Sequence, residues 1–487
     1  MASNERIEFG DFQTPAPLAR AVCSLLRRLE VPARTIVEPA CGVGVFLEEA
    51  LQAYPAAERL AGFDINTTYV QETRRRFPPA GNGRQVTVQQ ADFFAVDWSD
   101  RLRTMSEPLL VIGNPPWVTN AGLSRLGSRN VPRKMNADRL RGLDALTGKS
   151  NFDVSQWLLD RLIEALADRQ ATLAMLCKTR VARAVLQRAW NRDGAPHRAH
   201  LYRIDAARHF GAAVDACLLI CRFLPGATRS RSCSTHADLE SGASTRPFGI
   251  VAGRVVQDPQ QFQQLQYLVG TGTHRWRSGV KHDCVRVLEL RIQDGHLTNG
   301  FGQRVDVEET YLYPLLKGSR LARGETEPRH WVILPQAALG EDPVLLRERA
   351  PHTWRYLECH AANLDRRASV IYRGRPRFSV FGVGSYTFAP WKVAVAGFAK
   401  ELGFHQLGPW QDKPIVLDDT SYFLPCENES LADELLTRVN HALARQFYSC
   451  LIFWDNKRPI TAEILQTLDL DRLAREETHA PRQCLVG

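Results

Sequence analysis

No stretch of the 487-residue chain strings together the roughly 18 apolar residues that cross a bilayer. The opening MASNERIEFGDFQTP has no apolar core of a secretory leader either. No membrane span is therefore expected, and the expected location is intracellular, in the cytoplasm. Eleven cysteines are present, but none forms a Cys-x-x-Cys pair and the count is odd. Zinc and disulfide frameworks are thereby disfavoured; no metal is expected, and buried reduced thiols are. Internal repeats are lacking too. What is present is ordinary for a globular protein, 44% hydrophobic and 24% charged, in a chain long enough for two domains. The net charge of +9 suits a polyanionic partner, although a merely basic enzyme would look the same.

Up to about residue 225, strand-like and helix-like segments alternate. Ala19–Leu29 and Val154–Leu166 carry apolar residues at helical spacing. Strands are expected at 35–38, 60–64, 85–89, 109–113, 172–176 and 214–221. That alternation predicts an α/β fold with a largely parallel sheet covered by helices on both faces. Residues 225–249, PGATRSRSCSTHADLESGASTRPFG, are rich in Ser, Thr, Gly and Arg without an apolar period, and read as a linker or long loop. The expected domains are thus 1–224 and 250–487, the second without a βα repeat.

Val37-Glu-Pro-Ala-Cys-Gly-Val-Gly44 follows the first strand and precedes a helix. Gly42 and Gly44 let backbone approach a ligand at the carboxyl end of a strand. A dinucleotide fingerprint wants a third glycine at position 47, where Leu47 stands. NAD is disfavoured, and a ligand-free tight turn stays open as a reading. Asp64 ends the next strand, where a carboxylate can accept from both ribose hydroxyls. Asp92 follows the third strand and is placed to accept from an adenine amino group, with Phe93 against the ring. Gly142 to Ser150 ends in Gly-Lys-Ser, but five residues separate its glycines where a P-loop has four, so ATPase chemistry is unsupported.

Leu109-Leu-Val-Ile-Gly-Asn-Pro-Pro-Trp117 is the most informative stretch. An apolar strand delivers Asn114 to its carboxyl end, and Pro115 and Pro116 stiffen the backbone while removing two N–H donors. The Asn114 side-chain oxygen and the Pro115 carbonyl can then both accept from one amino group. That draws the nitrogen lone pair out of conjugation and toward an electrophilic methyl. Trp117 offers a stacking face. The alternative is a rigid turn with a surface tryptophan.

Phe12-Gln-Thr-Pro15, Glu38 to Gly44, Asp64, Asp92 and Asn114 to Trp117 together resemble the ordered motifs of amino-group DNA adenine methyltransferases, in the gamma arrangement. The resemblance implies a Rossmann-like sheet that binds S-adenosyl-L-methionine, followed by a C-terminal α+β target-recognition domain. It implies Thr14, Glu38, Ala40, Gly42, Gly44, Asp64, Asp92 and Phe93 as cofactor residues. It also implies Asn114, Pro115, Pro116, Trp117 and Phe210 as the catalytic set, with Phe210 stacking on the opposite face of a flipped adenine from Trp117. Cys41 inside the glycine turn departs from the pattern. Segments 276–283, 313–318 and 388–392 resemble pieces of target-recognition domains.

The implied function is site-specific adenine-N6 methylation of double-stranded DNA, with a separate restriction endonuclease as a further partner and a nucleoid-associated location. Cytosine-N4, RNA or protein-glutamine methylation, or a non-catalytic DNA-binding subunit, stay open as alternatives. Asn114 favours adenine over cytosine, and roughly 240 residues beyond the catalytic domain are more than a glutamine slot needs. A built-in nuclease is not expected, since no clustered Asp-Glu-x-Lys pattern occurs. Arg125, Arg129, Arg133, Lys134, Arg139, Arg141 and Lys149 are expected to grip phosphates beside the flipped base, or to form a solvated basic helix. Arg275, Arg277, Lys281, Lys317 and Arg320 are candidates for phosphate or guanine contacts. Asp153 reads as a helix cap.

Overall fold

A computed structural model describes residues 13–77, 85–118 and 153–479. The chain divides into two compact units, Met1–Pro259 and Gln260–Gly487.

The first unit is built on a ten-stranded sheet. Its strands are β1 (Thr35–Glu38), β2 (Arg59–Asp64), β3 (Gln85–Gln90), β4 (Leu109–Gly113), β5 (Ala171–Lys178), β6 (Arg198–Ile204), β7 (Ala216–Phe223), β8 (Ser232–His236), β9 (Thr245–Val251) and β10 (Arg254–Val256). They lie in the order β10-β9-β8-β6-β7-β5-β4-β1-β2-β3. From β3 to β5 every pairing is parallel, as continuous apolar strands such as LLVIG require when both faces are covered. β7 then runs antiparallel between β5 and β6.

Helices α1 (Ala16–Arg28), α2 (Val45–Ala53), α3 (Thr67–Arg76), α4 (Trp98–Arg103), α5 (Val154–Leu166), α6 (Thr179–Trp190) and α7 (Ala206–Phe210) complete the unit. Leu18, Val22, Leu26, Phe46 and Leu47 from α1 and α2 share one core with Ile36, Leu60, Leu110, Ile112 and Leu176 of the sheet. The alternate strand residues Val37, Val111, Leu173 and Met175 are also buried, and α5 packs on β5. Side chains alternate along a strand, so helices cover both faces.

β1 pairs with β2 on one side and with β4 on the other. The chain runs outward from β1 to β3 and returns to β4, so the strand order reverses between β1 and β4. Ligands of open α/β sheets bind at the carboxyl ends of such a pair.

Residues 225–249 are not a linker. They hold β8 and much of β9, which extend the sheet beyond β6, and Cys233 is wholly buried. The unit boundary falls instead at Pro259. A register shift between Cys233 and Thr235 interrupts the two-residue period, and pairing rather than composition makes these residues strands.

The second unit has two sheets. β11 (Arg277–Ser278), β16 (Trp391–Ala396), β17 (His405–Leu407) and β19 (Ser421–Cys426) form one, in the order β11-β19-β16-β17, all antiparallel. β12 (Glu289–Gln293), β13 (His296–Thr298), β14 (Leu312–Leu316), β15 (His330–Ile333) and β18 (Val416–Leu417) form the other, in the order β13-β12-β15-β14-β18. Helices 429–440 and 442–451 complete an α+β arrangement. Among the described residues no helix is long and apolar enough to cross a membrane.

The added strand β8 brings a second histidine to β6. His200 Nδ1 lies 3.2 Å from His236 Nε2, and His236 stacks on Tyr202 at 4.0 Å. Burial, then the neighbouring His236, Arg198 and Arg222, push the His200 pKa down to about 4 from an ordinary 6.5. Between those values the unfolded chain binds protons that the fold does not. This part of the stability is therefore complete above 6.5 and lost as pH falls toward 4. The melting temperature should drop on acidification through that window, and His200→Gln should flatten the drop. Parallel profiles for the two proteins would contradict it.

Candidate active site

The turn after β1 is tied down on three sides. Cys41 N donates to Phe63 O at 2.8 Å, and Gly42 N donates to Asp64 Oδ2 at 2.7 Å. Thr73 Oγ1 of α3 donates to Gly42 O at 3.0 Å. Gly42 has φ +50° and Gly44 φ +81°, the left-handed region where a side chain is strained. Gly44 is the N-cap of α2, and a Cβ there would sit 2.5 Å from Thr73 Cγ2.

Asp64 is held by both oxygens, since Oδ1 accepts from Asn66 N at 2.8 Å. Each carboxylate oxygen has two lone pairs, so further acceptor capacity remains for ligand hydroxyls. The Asn66 side chain caps α3 through Thr68 N and Tyr69 N.

A cleft opens at the switch between β1 and β4. Thr14, Glu38, Ala40, Gly42, Asp64, Phe93, Asn114 and Pro116 all line it. The expected residues from five separate segments therefore meet in one place. Gln13, Ile65, Asn66 and Tyr69 also line it and were not anticipated. Gln13 lay legible in the Gln-Thr-Pro motif; its side-chain oxygen is 2.7 Å from where a Cβ on Gly42 would stand. Gly44, Asp92, Pro115, Trp117 and Phe210 are not in the lining. Gly44 acts as a helix cap. Asp92 Oδ1 accepts from Phe94 N at 2.9 Å and so shapes the turn, leaving Phe93 as the wall.

Glu38 is 2% exposed, and its Oε2 has no hydrogen-bond partner among the described residues. Burial holds its carboxyl well above the usual carboxylate range, and the charge on Asp64 adds to the rise. A buried, unsatisfied acceptor on a cleft wall calls for a donor or a cation. Glu38 Cγ is also 3.4 Å from the position of a Cβ on Gly113, the residue before Asn114. The two ends of the cleft are thus adjacent.

Trp117 and Phe210 are brought together, but not as a sandwich. Their rings meet edge to face, centroids 5.1 Å apart at 68°. A base held between two parallel rings needs a gap of roughly 7 Å, twice the stacking rise. Trp117 is 6% exposed, and its Nε1 donates to Leu176 O at 3.4 Å.

Asp153 caps α5, accepting from Ser155 N, and it also pairs with Lys178. Lys178 Nζ donates to Asp153 Oδ2 at 2.7 Å and to Trp117 O at 2.8 Å. Nothing in the sequence spacing signals this contact between residues far apart in the chain.

The basic candidates 125–149 lie outside the described residues. In the second unit, Arg275 and Arg277 are exposed, Arg277 lying 4.6 Å over the Tyr386 ring. Lys317 is committed to the buried Glu289 at 2.6 Å, and Arg320 is 9% exposed and paired with Glu325. Lys281 pairs with Asp283 at 3.1 Å. These three hold the unit together rather than offering free charge. No cluster of metal-ligating side chains occurs among the described residues.

A sheet that reverses at β1 and β4, with an acidic, glycine-bent cleft at that point, defines a nucleoside-binding α/β enzyme. The chain is 41% identical over 472 residues to the type II methyltransferase M.NspV of Nostoc sp., covering 96% of this chain and 98% of that one. It belongs to the type II methyltransferase family. No family model matches it. Among solved structures it is similar to TrmN from Thermus thermophilus (16% identity, TM-score 0.27, 45% of this chain and 53% of that one). It is also similar to precorrin-6y C5,15-methyltransferase from Geobacter metallireducens (13%, 0.27, 44% and 92%). Likenesses at those scores carry no weight for function.

Methyltransferases of this family draw on S-adenosyl-L-methionine. The cleft fits that group by the chemistry of its wall: Glu38 and Asp64 are carboxyl groups suited to an ammonium and to hydroxyls, and Phe93 adds an apolar face. Gly44→Ala should destabilise the fold by roughly 1–3 kcal/mol through backbone strain and weaken cofactor binding. An unchanged melting temperature and an unchanged calorimetric affinity would speak against the role given to this turn.

Proposed function

We propose that the chain is a site-specific DNA methyltransferase that modifies the exocyclic N6 of adenine, working beside a separate restriction endonuclease. The observation that carries this reading is that Asn114 lines the same cleft as Gly42, Asp64 and the buried Glu38. The full-length likeness to a type II methyltransferase and the net charge of +9 support it. In this reading residues 1–259 bind cofactor and target base, and 260–487 recognise the DNA sequence.

When bound, S-adenosyl-L-methionine supplies an electrophilic methyl group on a positively charged sulfur. Glu38 would hold its ammonium, a neighbour that favours the carboxylate form which burial disfavours. Asp64 accepts from its hydroxyls, Thr14 and Ala40 close the cleft wall, and Phe93 supplies an apolar face. The target base leaves the duplex, because its amino group is inaccessible within the stack. Asn114 Oδ1 and the Pro115 carbonyl would accept hydrogen bonds from the two N–H groups of that amino group, which would make its nitrogen lone pair available as a nucleophile. Pro116 keeps the corner rigid. Trp117 and Phe210 must part to take the base between them.

Labelled cofactor incubated with unmodified DNA, followed by nucleoside analysis, should yield N6-methyladenine. N4-methylcytosine would move the reading to the neighbouring amino-group chemistry, and unlabelled DNA would overturn it. Asn114→Ala should lower kcat by about 10²-fold or more while the cofactor still binds by calorimetry. DNA binding should weaken steeply with salt.

A further inference from the structure

The Asn-Pro-Pro-Trp corner has lost the ordinary means of staying attached to its sheet. The β4–β5 ladder ends at the Gly113–Met175 pair. Pro115 and Pro116, with no N–H, cannot extend it. Two side-chain bonds to the end of β5 take over. The Trp117 indole Nε1 donates to Leu176 O at 3.4 Å, and Lys178 Nζ donates to the Trp117 carbonyl at 2.8 Å. β5 therefore holds Trp117 by its ring and by its backbone.

Lys178 is itself aimed. Its side chain is 14% exposed, and its ammonium is fixed by Asp153 Oδ2 at 2.7 Å. The Asp153 side chain is 1% exposed and held by Ser155 N and by Ser155 Oγ at 2.6 Å. Val154 N, one residue on, donates to Val118 O at 2.9 Å. The start of α5, the end of β5 and the residues after the corner thus converge on one ammonium. A buried ion pair is a poor way to gain stability, since well-packed apolar residues of the same volume often do as well or better. What such a pair does specify is geometry.

We infer that Lys178, oriented by Asp153, is a positioning residue for methyl transfer: its ammonium sets the Trp117 peptide and, through the two φ-locked prolines, the direction of the Pro115 carbonyl and of Asn114. The inference rests on the amino-group reading of Asn114 given above. Misplacing acceptor groups by about 1 Å costs on the order of 10²-fold in rate. Loss of the clamp should therefore appear in kcat rather than in binding.

The test is steady-state kinetics on unmodified bulk DNA with labelled cofactor, using Lys178→Met, Lys178→Arg and the double variant Lys178→Met with Asp153→Asn. Arg180 stays 3.6 Å from Asp153 in the single variants, and the double variant leaves no uncompensated charge between 153 and 178. A thermal melt confirms folding of each. Both methionine variants should lose about 10²-fold in kcat, with cofactor affinity and the KM for DNA unchanged. Lys178→Arg, whose guanidinium reaches both acceptors, should recover most of the rate. A folded double variant with wild-type kcat overturns the proposal. A raised KM for DNA at unchanged kcat overturns it too, by making Lys178 a phosphate contact. The modified nucleoside formed by the wild-type protein reports separately on the adenine reading. If it is N4-methylcytosine, that reading fails while the clamp is still judged on the same kcat ratios.

Discussion

The parallel pairing of β1 with β4 is the constraint on which the site depends. Thr35 lies opposite Leu109 and Val37 opposite Val111, so Glu38 and Asn114 emerge at the same end of the sheet. A slip of one residue in β4 would turn Asn114 to the opposite face. Leu109, Leu110, Val111 and Ile112, all at 0% exposure, anchor the strand that delivers it. Glu38 carries a local cost at this point, a buried carboxyl with one oxygen unpaired among the described residues.

The two aromatic residues at the corner differ in how firmly they are held. Trp117 is bound through ring nitrogen and carbonyl to β5, and its ring belongs to the core shared by α1 and α2. Phe210 ends the five-residue helix α7, capped by Gly211 at φ +64° and followed by exposed residues up to β7. In the second unit, the charges of Lys281, Lys317 and Arg320 are used inside the unit. Arg275 and Arg277 are left facing solvent.

Local chemistry carried much of this in plain view. Strands 35–38 and 109–113 and the helix 154–166 have the bounds their apolar periods imply, because both faces of the strands and one face of the helix are buried. The glycine turn, Asp64 and Asn114 were visible because each is a short-range device at a strand end. Residues 225–249 misled, since a bulged, polar strand owes its existence to the neighbour it pairs with. Asp92 shows how a carboxylate after a strand also serves as a turn cap, a use that its position in the sequence does not distinguish from others.

By itself the amino-acid sequence determined the alternating α/β order, the strand ends and the chemistry stationed at each, because those follow from periodicity and from what glycine and proline do to a backbone. Only the tertiary structure decided which ends share a cleft, that Glu38 is left unsatisfied within it, that Trp117 meets Phe210 edge to face, and that Lys178 and Asp153 reach the proline corner. These are contacts between residues distant in sequence. Their distances are set by packing of the whole sheet, and no local pattern encodes them.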